Sequence, residues 1–326
     1  MLEVRQPSGL PPPDSARTTA PRWRVRAAGA LSIFILVAAA LTLHRDATFW
    51  DWHRLASGLR NEPLSWVAAA AAFTLASFVA LGAYDILGCA LVIPGRIRHS
   101  TALLAGVAGN AISNTLGFHA VIGTAVRLRI YGRAGVPMGD AMRVTSVSWL
   151  GIGLGYVALI ALAGLAGQRF GGIGAVPSLS TAVALTVGLA LFVFWLSDDG
   201  RTLRLGPARL ELPPTRTAMA LVALGVIENG AAIAALYVLL PAASAPPFLP
   251  FALSYLSAVA LGVASQVPGG LGVFEAALMT IWAARIGPGL PVALVAYRLI
   301  YNLLPCALSV LSLAAWEVAG AGKASV

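Results

Sequence analysis

The chain has 326 residues, with 22 Lys and Arg against 13 Asp and Glu for a net charge of +9, yet only 11% of its residues are charged and 58% are hydrophobic. Soluble domains carry about 25% charged and about 45 to 50% apolar residues, so this composition, with a mean hydropathy of +0.82, excludes a water-soluble globular protein. The length fits an all-α, polytopic bundle of membrane helices rather than two soluble domains.

All but one of the basic residues are Arg, and they cluster between apolar stretches. That is a membrane-surface pattern. No basic face with interleaved aromatics persists over a soluble-length segment, so no nucleic-acid partner is expected. Cys89 and Cys306 are isolated in apolar stretches and read as packing residues, not as a disulfide or a metal motif.

In chain order, residues 1–26 are rich in Pro, Ser and Arg and read as a disordered basic tail. Arg5, Arg17, Arg22, Arg24 and Arg26 precede the first apolar run, Ala27 to Leu43, and hold the N-terminus in the cytoplasm. The long charged segment before that run and the many spans after it favour an uncleaved anchor over a signal peptide. The following loop, with Trp50 and Trp52 and balanced charge, suits the outer interface. A span from Leu64 to about Ile93 then returns the chain to Arg96, Arg98 and His99.

The stretch Thr101 to Val126 is apolar enough to cross, but crossing would put Arg127, Arg129, Arg133 and Arg143 outside. Its middle, GNAISNTLGFHAVIG, holds residues that weaken a continuous helix. It reads as a re-entrant hairpin entering and leaving on the cytoplasmic side, which is tolerated only where protein or a water-filled cavity covers the broken backbone. Spans near 144–166 and 179–196 follow, then a mixed-charge cytoplasmic loop, Asp198 to Arg216, and a span from about Ala218 to Leu240. The segment Leu249 to Ala284 is broken by Pro268, Gly269 and Gly270, and reads as a second hairpin, from the outer side. The last span, Pro291 to Trp316, ends one polytopic domain of residues 27–317. It leaves 318–326 as a short cytoplasmic tail. Two broken segments entering from opposite faces make an inverted repeat of the kind many transporters use. Leu116 and Gly117 before Pro137 echo Leu271 and Gly272 before Pro291.

Motifs of soluble enzymes are absent, and the GxGxG at Gly151 to Gly155 follows no strand, so it reads as close helix packing through small residues. His119 has no second ligand at metal spacing and reads as a hydrogen-bonded interior side chain. No metal and no cofactor are expected. The residues that stand out are ionisable groups in apolar context: Asp85, Arg127, Arg129, Glu228, Glu275 and Arg298. Glu228 has ten residues of its span before it and twelve after it, and needs an Arg partner, a proton or water. Two readings stand: a structural ion pair between Glu228 and Arg298, or a polar pathway for a charged headgroup. For Arg127 and Arg129 the alternatives are topology setting and phosphate binding.

Four stretches, YDILG (84–88), NAISNTLGF…GTAVRLRIYGRAGV (110–136), LYVLLP (236–241) and SQVPGGLGVFEA…AYRLIYNLLP (265–305), resemble the N-terminal membrane domain of the phosphatidylglycerol lysyltransferase, or multiple peptide resistance factor, family. The resemblance spans roughly residues 70–317 and is most specific in the last stretch. It implies a lipid flippase domain that moves aminoacylated phosphatidylglycerol between leaflets. It also implies functional positions at Tyr84, Asp85, Asn114, Gly117, Arg127, Arg129, Tyr131, Pro268, Gly269, Gly270, Gly272, Glu275, Arg298 and Tyr301. The sequence departs from the family where Gly123 and Thr124 replace two glycines, and it ends at Val326 without an aminoacyltransferase domain, so synthase activity is not expected.

The reading is an inner-membrane lipid translocase, not an enzyme, whose pathway is lined by Asp85, Asn114, Arg127, Arg129, Glu228, Glu275, Arg298 and Tyr301. Its partners would be a membrane phospholipid, a separately encoded synthase and a second copy of the chain. The alternatives are a non-transporting scaffold for a synthase or glycosyltransferase, and a membrane-embedded lipid-modifying enzyme.

Overall fold

The computed structural model describes residues 63–117, 119–166, 179–195, 202–205, 208–211, 214–265 and 267–321. The basic tail, the first apolar run, the loop with Trp50 and Trp52, the Gly-rich loop 167–177, Asp198 and Asp199, and both chain termini with their expected cytoplasmic placement lie outside the described residues.

The protein is an all-α membrane bundle. Its helices are α1 (Leu64–Val92), α2 (His99–Leu116), α3 (His119–Tyr131), α4 (Met138–Leu165), α5 (Leu179–Trp195), α6 (Thr215–Tyr237), α7 (Phe248–Ala264), α8 (Val273–Ile286), α9 (Gly289–Tyr297) and α10 (Leu304–Ala321). A π-helical turn, Arg298–Leu303, joins α9 to α10. Among the described residues four stretches are long and apolar enough to cross a bilayer: α1, α4, α6 and the continuous run Gly289–Trp316. The mixed-charge loop departs from an all-loop reading only in holding two short strands, Thr202–Leu205 and Ala208–Glu211, paired antiparallel with Leu203 opposite Leu210.

Local sequence explains the element boundaries. Pro63, Pro137, Pro214 and Pro247 immediately precede α1, α4, α6 and α7, where a missing N–H and a fixed φ cost a helix nothing. The π turn comes just before Pro305, which has no N–H to give the Tyr301 carbonyl and whose ring crowds it, and the Leu304 N–H reaches five residues back to the Leu299 carbonyl.

Small residues set the closest helix contacts. A Cβ on Gly151 would overlap the Tyr84 ring, and one on Gly155 would overlap the backbone of Gly225, so the GxGxG motif packs α4 against α1 and α6. Cys89 and Cys306 are buried free thiols. The large exposed apolar side chains, among them Leu75, Leu162, Leu191, Phe194 and Leu311, lie on helix surfaces suited to lipid.

Both broken segments are helical hairpins with closed bases. α1 and α4 run antiparallel, since Tyr84 meets Gly151, Asp85 meets Ser148 and Gly88 meets Val144. The C-terminal end of α1 and the start of α4 therefore share one end of the bundle, where Arg96 Nη2 donates to the Gly135 carbonyl at 3.2 Å. The intervening pair α2 and α3 must leave and return at that end. It reverses after Gly117, which sits at φ 79°, and Gly109 comes back against Gly123.

The second hairpin, α7 and α8, is closed in the same way. Gly289 packs against Pro241, and Ser244 Oγ donates to the Ile286 carbonyl at 3.4 Å. It reverses through Pro268–Gly270 with Gly269, Gly270 and Gly272 all at positive φ. The unit of span, hairpin and span occurs twice, from α1 to α4 and from α6 to α10, with α5 between them. The two tips touch: a Cβ on Gly269 would come within 2.7 Å of the Thr115 carbonyl oxygen, a contact only glycine allows.

Candidate functional site

The hairpin tips, α4, α6 and the π turn enclose a cavity of about 700 Å³, within the range of cavities that hold drug-sized ligands. Asn114, Gly117, Arg127, Glu228, Gly269, Gly270, Arg298 and Tyr301 line it, so most of the residues singled out in the sequence converge on one space. Asp85 and Glu275 stand behind its wall as partners of the two arginines. Pro268 and Gly272 belong to the turn of the second hairpin. Arg129 is exposed and lies outside the cavity lining, so an arginine-pair phosphate clamp from Arg127 and Arg129 is not formed there.

Arg127 departs from the expectation of a guanidinium held ready for phosphate. It is 1% exposed, and its Nε and Nη2 donate to Asp85 Oδ2 and Oδ1 at 2.8 and 2.7 Å. Its Nη1 donates to the Gly123 carbonyl at 3.2 Å. Asp85 also accepts from Tyr131 Oη at 2.7 Å and from Ser148 Oγ at 3.0 Å. Both charges are saturated by fixed partners, the arrangement a buried pair needs to offset its desolvation. Gly109 and Gly123 make room for the guanidinium, since a Cβ on either would lie 2.9 or 3.0 Å from Nη1.

Arg298 pairs with Glu275, and the Glu228 to Arg298 ion pair weighed from the sequence does not form. Its Nε donates to Glu275 Oε1 at 2.6 Å and its Nη1 to the Gly269 carbonyl at 2.8 Å, while Nη2 is buried without a partner. Glu275 uses its other oxygen to accept the Gly272 N–H at 2.9 Å, one turn back at the start of α8. The two residues thus bind both sides of the broken turn to the last span, which gives the PGGLGVFE and YRLIYNLLP stretches a common structural purpose. Thr115 Oγ1 donates to the Asn302 carbonyl at 3.2 Å and ties the first tip to the same π turn.

Glu228 sits thirteen residues into α6 with nine to follow. It is 7% exposed, and its one hydrogen bond among the described residues is from the neighbouring Asn229 amide, Nδ2 to Oε2 at 2.6 Å. No Lys, Arg or His among those residues pairs with it.

Aromatic residues make up much of the rest of the wall, and sequence reasoning missed them. Tyr156, Tyr255, Tyr297, Phe274 and Trp149 line the cavity together with Tyr301. Tyr297 stacks on Tyr301, with ring centroids 4.9 Å apart, and the Tyr255 and Tyr297 hydroxyls hydrogen-bond each other. Ser77 Oγ and Tyr301 Oη lie 2.8 Å apart. The available signal was the YRLIY spacing, which puts Tyr297 and Tyr301 on one helix face. His119 is held by Asn114 Oδ1 at 3.0 Å and meets the Trp149 ring edge-on, as an interior side chain. Among the described residues no three His, Cys, Asp or Glu side chains gather to hold a metal.

These features define an integral membrane protein with a mainly apolar, aromatic-rich cavity, carrying a few polar and charged groups, between two helical hairpins. No protein-family model matches the chain. It is 25% identical to the inner membrane protein YbhN of Escherichia coli over 303 residues, 89% of this chain and 92% of that protein. An uncharacterized protein of Synechocystis sp. is also 25% identical over 303 residues, 90% of this chain and 92% of that one.

Proposed function

We propose that the protein is an inner-membrane lipid translocase, related in design to the flippase-like domain of the phosphatidylglycerol lysyltransferase family, that carries phospholipid headgroups through the cavity between the hairpin tips. The single observation that carries this reading is the meeting of the two tips, at Gly269 and Thr115, beside a cavity with a buried carboxylate and an unpartnered guanidinium nitrogen. A headgroup crossing a bilayer loses hydration at a high free-energy cost. Polar groups that are already buried and incompletely paired can replace part of that hydration, while acyl chains stay against apolar helix surfaces. Arg298 Nη2 offers a donor to a phosphate, and Glu228, the unpartnered Asn302 Oδ1 and the aromatic wall suit an ammonium such as that of lysyl-phosphatidylglycerol. In this reading the chain is not an enzyme: it moves a lipid made elsewhere.

The test is headgroup translocation in vesicles reconstituted with the purified chain, using fluorescent phosphatidylglycerol and lysyl-phosphatidylglycerol. Movement of either lipid above that of protein-free vesicles supports the reading. A folded protein that moves neither overturns it and favours a scaffold for a separately encoded synthase, which co-purification would then seek.

A further inference from the structure

The charges around the cavity balance except at one residue. Arg127 is neutralised by Asp85 and Arg298 by Glu275, so an ionised Glu228 leaves the space with one net negative charge and a protonated Glu228 leaves it with none. A carboxylate buried in an apolar bundle without a cation is expensive, and the group gains by taking up a positive charge.

The groups facing Glu228 supply no permanent cation. From α1 comes Tyr84, with Asp85 closed onto Arg127 of α3 behind it; from α4, Tyr156; from α7, Tyr255; and from the π turn, Tyr301. His119 of α3, Tyr297 of α9 and Arg298, closed onto Glu275 of α8, share the cavity. The described part of α5 contains no titratable side chain. The Tyr84 hydroxyl is buried without a hydrogen-bond partner and lies within electrostatic reach of the carboxylate. Asn229 occupies Glu228 Oε2, Oε1 has no hydrogen bond among the described residues, and Glu228 lines the cavity.

We infer that Glu228 is a proton-loading site, and that its protonation sets the charge of the cavity and so links headgroup passage to pH. The proton comes from hydronium in the water that reaches the cavity: one O–H bond of hydronium breaks as the O–H bond to the carboxylate forms, water is left behind, and the reverse transfer returns the proton by the same route. The inference rests on the translocase reading for its consequence but not for the protonation itself. With Glu228 protonated, an anionic headgroup meets no repulsion; with it ionised, a cationic headgroup gains a partner. The two lipid classes should therefore respond to pH with opposite sign.

The experiment uses the full chain in vesicles of phosphatidylethanolamine and phosphatidylglycerol, with two readouts on wild type and Glu228→Gln. Infrared difference spectra between acid and alkaline buffer, on protein with isotope-labelled glutamate, read the protonated carboxyl band directly. Translocation rates of fluorescent phosphatidylglycerol and lysyl-phosphatidylglycerol are measured across the same pH range. The expected result is a labelled carboxyl band that titrates in wild type and is missing from Glu228→Gln. Phosphatidylglycerol should move roughly tenfold faster on the acid side and lysyl-phosphatidylglycerol roughly tenfold faster on the alkaline side, the size of a single-charge interaction at this range. Both slopes should be flat in Glu228→Gln.

If Glu228→Gln does not fold, Glu228→Asp is compared with wild type: a set of titrating carboxyl bands that does not change between the two overturns the inference. A folded Glu228→Gln that keeps every titrating band of wild type, or keeps the pH slopes, overturns it as well. Lipid that moves without any Glu228 titration removes the inference and leaves the translocase. A Glu228 band that titrates in a protein that moves no lipid removes the translocase and leaves the proton site.

Discussion

Asp85 accepts four hydrogen bonds, two of them from Arg127, in a site where the two side chains are 0% and 2% exposed. The pair locks the first hairpin to α1 and, through Ser148, to α4. Breaking it by removing one partner leaves the other charged and buried, which costs about 3 to 5 kcal/mol. Arg127→Leu and Asp85→Leu should each lower the thermal unfolding temperature in detergent sharply. The double variant should be less destabilised than the sum of the singles, and a strictly additive cycle would show that the pair does not act as a unit.

Glu228 should behave in the opposite way. With no cationic partner among the described residues, its charge is a cost and not a support. Glu228→Gln is expected to leave the unfolding temperature unchanged or raise it, whereas Arg298→Ala lowers it. A loss of stability in Glu228→Gln as large as that of Asp85→Leu would mean that the carboxylate has a structural partner.

The contact between α4 and α6 depends on having no Cβ at either side. Gly225→Ala would place a methyl group 2.5 Å from the Gly151 carbonyl oxygen and force the helices apart. A loss of about 1 to 3 kcal/mol is expected, as for overpacked cores, read as a fall in unfolding temperature. Gly230→Ala, on the same helix and with open space around it, should cause no comparable change.

Glu275 holds the second tip with two oxygens, one on Arg298 and one on the Gly272 N–H. Glu275→Ala should release the turn and speed amide hydrogen exchange at Gly270 and Gly272. Loss of charge-assisted bonds costs about 1.5 to 3 kcal/mol each. Glu275→Gln, which keeps one acceptor, should fall between the alanine variant and wild type.

The two hairpins were legible because their breaks are written locally: Gly117 after a run of Asn, Ser and Thr, and Gly269, Gly270 and Gly272 after a proline. The positive-inside rule supplied the reversal, and the antiparallel contacts of α1 with α4 agree with it. Pairing was not legible. Arg127 finds Asp85 across 42 positions and Arg298 finds Glu275 across 23, and nothing in hydropathy distinguishes those partners from Glu228. Depth in a span identifies a costly charge but not what satisfies it, which is a property of packing. The aromatic wall escaped for the same reason, since tyrosines in apolar helices read as interior or interfacial until their neighbours are known.

The most direct test of the pathway blocks it without disturbing the fold. Gly153 lines the cavity and a Cβ there meets nothing within 4 Å, so Gly153→Trp fills the space by occupying it. Gly188 on α5 is equally open but lies outside the cavity lining, and Gly188→Trp is the control. With wild type, both variants and protein-free vesicles compared for headgroup translocation, Gly153→Trp should fall to the protein-free rate while Gly188→Trp matches wild type. Wild-type rates in a folded Gly153→Trp protein would contradict passage through this cavity.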